Sequence, residues 1–122
     1  MGLDTWRTEQ REPPSVTVTG VIERERYRIE KLYYESLPKV FITANLYVPK
    51  NLSGRAPGVL YVCGHARDQK VHYQAHARRF AELGFVCLIA ETVAAAELGG
   101  FHHGCYREGW WHWYSRGYTS GG

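Results

Sequence analysis

Histidine and cysteine crowd into one short stretch of this chain. His102, His103, Cys105 and His112 are side chains of the kinds that hold zinc. Their spacing, H-H-x-C-x6-H, matches no familiar structural zinc site. Adjacent residues of an extended segment also point to opposite sides, so His102 and His103 do not naturally converge. A second pair, His72 and His76, stands four residues apart, a helical spacing that can grip a metal. Tyr73 occupies the place where the zinc-protease motif carries its catalytic Glu, so that motif is absent. The pair reads better as part of an exposed helix face, and neither a metal nor another cofactor is expected.

Next to the His-rich stretch lies a run of rings: Trp110, Trp111, Trp113, Tyr114 and Tyr118. Sugars stack on such faces, although packing a loop is the commoner use of aromatics. Arg107 and Glu108 either pair with each other or orient a substrate. His102, His103, Arg107, Glu108, Trp110, Trp111, Trp113 and Tyr114 are therefore the candidate pocket residues. Glu91 ends an apolar run, where ligand crevices of open α/β sheets lie, but a plain strand-end carboxylate is the simpler reading. Cys63 and Cys87 sit inside apolar runs and read as buried free thiols.

The elements that must position these groups follow from periodicity. Residues 1–14 form a polar lead-in that ends in the stiff pair Pro13-Pro14. Residues 16–19 alternate at period two until Gly20 interrupts them. Residues 27–35 and 40–48 are two further strands joined by a short turn, which argues for an antiparallel hairpin. Then the pattern changes. GVLYVC, residues 58–63, and FVCLIA, residues 85–90, are apolar without alternation, as in parallel strands covered on both faces. Between them, residues 71–83 form an amphipathic helix with Tyr73, Ala77, Phe80 and Ala81 on one side and Gly84 placed for a left-handed C-terminal turn. Residues 58–90 are thus a β-α-β unit, whose crossover is right-handed. Residues 91–122 carry no clear period and read as a long His- and aromatic-rich loop.

Composition narrows the class. At 122 residues, with 44% hydrophobic and 22% charged content, the chain reads as one globular domain, residues 15–122, behind its lead-in. The net charge of +3 is spread over a mixed face from Glu23 to Lys31, so no nucleic-acid partner is expected. No apolar run approaches the ~20 residues that cross a bilayer, and residues 1–14 lack the apolar centre of a secretory leader. A soluble, intracellular (cytoplasmic) protein fits best.

The stretch YRIEKLYYES…VFITANLYVPKNLSGRAPGVLYVCGH…YQAHARRFAELGFVCLIAET resembles the opening of the α/β-hydrolases of the acetyl xylan esterase-like and dienelactone hydrolase-like branch. In that pattern, "LY-(L/V)-P" is followed by "(A/P)-x-VLY-x-x-GH", an amphipathic helix ending in "LG", and a further strand. HHGCYREGWWHWYSRGYT resembles the long loop after that strand in some members. The implied architecture is a partial α/β-hydrolase sheet: an antiparallel hairpin, then a parallel β-α-β unit, with the C-terminal half missing.

The resemblance implies an oxyanion turn at Cys63-Gly64-His65-Ala66. There a backbone N–H, from Ala66 or Arg67, would stabilise a tetrahedral intermediate, and Gly64 would let the backbone approach. The oxyanion candidates are Gly64, His65, Ala66 and Arg67. A nucleophile elbow reads G-x-S-x-G, and the nearest match is Trp113-Tyr114-Ser115-Arg116-Gly117. Trp113 stands where the sharp turn needs Gly, and neither His nor an acidic residue follows Ser115, so we reject it. Nucleophile, acid and base are all lacking.

The expectation is therefore part of a serine carboxylic-ester hydrolase, inactive alone, whose parent takes a small-molecule ester such as an acylated sugar. The alternative is a non-enzymatic module binding a carbohydrate or a partner through residues 106–118. In this fold the nucleophile strand pairs beside residues 58–63. Its absence would leave an apolar strand edge open to self-association.

Overall fold

The computed structural model describes residues 12–64, 66 and 68–92. Within them the chain runs β1 (Val16–Glu23), β2 (Tyr27–Leu37), β3 (Val40–Pro49), β4 (Gly58–Val62), α1 (Gln69–His72), α2 (Gln74–Glu82) and β5 (Val86–Ala90). The strands form one mixed sheet in the order β1-β2-β3-β5-β4. The first three make an antiparallel meander, β5 pairs antiparallel with β3, and β4 pairs parallel with β5.

Local chemistry explains the joints. β1 does not stop at Gly20 as its alternation suggested; a register shift between Val18 and Gly20 lets the strand continue to Glu23. The β2–β3 turn places Pro38 before Lys39, whose φ of 65° is the one positive value on a non-glycine among the described residues. Proline followed by a residue at positive φ is the pattern of a type II turn.

The expected helix over residues 71–83 is present but broken. Tyr73, at φ −93° and ψ 9°, ends α1 and precedes α2. A period of 3.6 cannot reveal a single residue leaving helical geometry, because both halves keep the same apolar face. α2 ends in a Schellman motif: the Phe85 N–H donates to the Phe80 carbonyl at 3.0 Å and the Gly84 N–H to Ala81 at 3.0 Å. Gly84 has the left-handed φ of 92° this requires, and Phe80 and Phe85 meet edge-on with centroids 6.0 Å apart.

The core lies between one sheet face and α2. Tyr27, Ile29, Tyr47, Cys63, Cys87 and Ile89 face Ala77 and Ala81, with Tyr73 and Phe80 packed alongside, which is the helix face expected from the sequence. Two alanines at the contact let α2 approach the strands closely. The other sheet face corrects the reading of the two apolar runs. In β4 only Val59 and Tyr61 pack on the core, while Leu60 and Val62 are exposed. In β5 the buried residues alternate as Cys87 and Ile89. Every alternate residue being apolar hid a one-sided strand, because a period-two burial pattern needs polar residues to be visible.

Candidate functional site

Because β4 and β5 run parallel, both end at the same edge of the sheet, where crevices of α/β folds form. Cys63 and Gly64 follow β4 directly, and the chain turns there into α1. A Cβ added to Gly64 would stand 2.6 Å from the Tyr73 hydroxyl, so a larger residue there would have to displace that ring's tip. Tyr73 in turn packs on Tyr61, with centroids 5.9 Å apart, and the Tyr61 hydroxyl shares a 2.6 Å hydrogen bond with His76 Nδ1.

Two buried polar residues at the start of α1 tie this turn to the end of β5. The Gln69 amide is almost fully buried. It donates to the Gly64 carbonyl at 3.2 Å and to Thr92 Oγ1 at 2.7 Å, and its carbonyl accepts from the Thr92 N–H at 2.8 Å. Lys70 reaches the other way. Its Nζ lies 3.2 Å from Glu91 Oε2 and donates to Thr43 Oγ1 at 3.1 Å, while Thr43 donates to the same carboxylate oxygen at 2.6 Å. The Glu91 N–H also donates to the Thr43 carbonyl at 3.0 Å, prolonging the β3–β5 ladder by one bond. The Lys70 and Glu91 side chains are only 8% and 1% exposed, so this is an interior ion pair.

These groups hold geometry; they are not arranged as a nucleophile and its base. Cys63, directly before Gly64, carries the thiol at the turn. Burial, reinforced by the Glu91 carboxylate and opposed by Lys70, pushes its thiol above the ordinary range. A thiol held protonated at neutral pH is a poor nucleophile. Burial does the same to Cys87, and both cysteines are free, as the sequence suggested.

Of the candidate oxyanion residues, Gly64 is exposed and Ala66 half-buried at the turn, while His65 and Arg67 lie outside the described residues. So do the candidate pocket residues His102, His103, Arg107, Glu108, Trp110, Trp111, Trp113 and Tyr114, together with Cys105, His112 and Ser115. His72 and His76 are exposed as expected. No cluster of three metal-ligating side chains occurs among the described residues, and none of their helices is long and apolar enough to cross a membrane.

Sequence reasoning passed over Gln69, Lys70, Thr43 and Thr92, and it treated Glu91 as a plain strand end. Each is ordinary at its own position, and the one hint was that Gln-Lys opens α1 and Glu-Thr follows β5 at the same end of the parallel pair. A cleft of about 370 Å³ lined by Arg26, Asn51, Arg55 and Glu82 lies at the opposite end of these strands, away from the turn.

No protein-family model matches the chain, and no curated protein does. Solved structures do. A protein from Bacteroides fragilis provisionally named an acetyl xylan esterase superposes with a TM-score of 0.63 at 21% identity, over 74% of this chain and 28% of its own. A methylesterase superposes at 0.57 and 18% identity, over 76% of this chain and 22% of its own. The fold is that of part of an esterase-like protein. The chain spans about a quarter of the length of these structures.

Proposed function

We propose that this chain is part of a serine carboxylic-ester hydrolase of the acetyl xylan esterase-like kind, contributing the oxyanion turn to a site completed by residues it does not itself contain. The observation that carries the reading is the position of the turn. Gly64 and Ala66 lie at the carboxyl end of the parallel pair, directly before a helix, in a sheet that superposes on two esterases. In such enzymes a backbone N–H at this turn meets the oxyanion of the tetrahedral intermediate, an interaction worth a few kcal/mol of barrier. Gln69 and the Lys70–Glu91 pair act as positioning residues. By anchoring Gly64 and the end of β5 they hold the turn at a fixed distance from the sheet.

The substrate class is a small-molecule ester, with an acetylated sugar the form suggested by the resemblance. No G-x-S-x-G occurs in the chain, and the nearest approximation is blocked by Trp113. The purified 122-residue protein is therefore expected to release no nitrophenol from nitrophenyl acetate above the rate of a denatured control. Turnover that a serine-directed phosphonate abolishes would overturn this reading.

A further inference from the structure

The two helices are anchored by different forces. α2 sets Ala77 and Ala81 into the core, at 0% and 2% exposure. α1 sets no apolar side chain there: Val71, its one apolar residue, is 56% exposed, and His72 is exposed as well. What α1 buries is Gln69 and Lys70. Gln69 bonds to the Gly64 carbonyl and to Thr92, and Lys70 to Thr43 and Glu91. The element is thus fastened through polar side chains to β3, to the turn after β4 and to the end of β5. Its own backbone adds little, since α1 is a single turn whose N-cap, Asp68, makes no side-chain capping bond.

The junction with α2 is equally discontinuous. The Tyr73 N–H closes α1 on the Gln69 carbonyl at 3.0 Å, and the His76 N–H bonds to the Tyr73 carbonyl at 3.0 Å in the first turn of α2. Between them Tyr73 stands at φ −93° and ψ 9°, outside helical geometry. A continuous helix would carry α1 as a rigid extension of α2. Two short helices meeting at one such residue do not have to move together.

We infer that α1 and the turn leading into it form a separately opening unit, hinged at Tyr73 and latched by Gln69 on Thr92, which leaves the sheet while β2, β3, β5 and α2 stay folded. Protein hydrogen bonds are exchanged for bonds to water on opening, so their net hold is modest beside that of core burial. The release returns Lys70 and Glu91 to water, which offsets their lost attraction, and it uncovers little apolar surface. Every contact in this argument lies inside the protein between residues 43 and 92. Where the turn supplies an oxyanion donor, opening withdraws it, so the latch regulates the proposed site. That consequence rests on the esterase reading, and the motion itself does not.

Native-state hydrogen exchange of the isotope-labelled chain, followed amide by amide by NMR, is the test. Two neighbouring amides separate the latch from the sheet: the Glu91 N–H donates to the Thr43 carbonyl of β3, whereas the Thr92 N–H donates to the Gln69 side chain. After correction for intrinsic rates, Thr92 should exchange together with Val71, His72 and Tyr73. This group should be roughly tenfold or more faster than Glu91 and the strand amides, with a weaker dependence on dilute urea. T92V keeps the N–H but removes the hydroxyl that Gln69 uses. It should speed Val71, His72 and Tyr73 by roughly threefold to tenfold and leave the strand amides unchanged. Simple fraying of β5 would instead touch Thr92 alone. Exchange of the α1 amides at the rate and urea dependence of the strands, a Thr92 rate unrelated to theirs, or a T92V effect confined to Thr92 would each overturn the inference.

Discussion

Replacing Lys70 with methionine tests whether the end of the sheet is held by the interior ion pair. At 3.2 Å and an effective dielectric near 20, the Lys70–Glu91 attraction is about 5 kcal/mol. Withdrawing both ions from water costs several kcal/mol each, so the intact pair contributes little net stability. K70M removes one ion only. It leaves a carboxylate that is 1% exposed with Thr43 as its remaining partner among the bonds described above, and the expected loss is about 3–5 kcal/mol. That is a large share of the 5–15 kcal/mol typical of a whole domain.

Urea denaturation followed by circular dichroism should show the midpoint falling with little change in slope. The double variant K70M/E91Q separates charge from packing. Glutamine still accepts from Thr43 but carries no charge, so at least half of the lost stability should return. A K70M cost below about 1 kcal/mol, or a double variant no more stable than K70M, would refute the view that an unpaired interior charge drives the effect.

Two further outcomes follow from the same structure. Burial pushes the Tyr47 phenol up to about 12 from its ordinary 10. The folded state then holds this proton more tightly than the unfolded chain. Its stability is intact below pH 10 and falls by about 2–3 kcal/mol as pH rises towards 12, a loss that Y47F should largely remove in alkaline melts. At the end of α2, G84A forces a Cβ into a φ of 92° and should cost about 1–2 kcal/mol in thermal unfolding, whereas G84N should cost less.

Much of this architecture was legible in the residues. The hairpin followed from two alternating runs around Pro38-Lys39, and the parallel unit from two apolar runs spanning an amphipathic helix. The helix face carrying Ala77, Phe80 and Ala81 and the glycine at position 84 were both readable directly. The site was half legible. Gly64 could be named because a tight strand-to-helix turn constrains residue type. Gln69, Lys70, Thr43 and Glu91 could not, since each is ordinary at its own position and becomes a buried cluster only when β3, α1 and β5 meet.

Local sequence thus determined where strands, helix and turns form, because backbone preference and side-chain periodicity act over a few neighbours. The tertiary structure alone decided that β5 inserts between β3 and β4, that Tyr73 breaks the helix, and that Leu60 and Val62 face outward. Those outcomes depend on contacts between residues far apart in the chain. Which face of an apolar strand is buried is set by what packs on it, and no period within five residues encodes that.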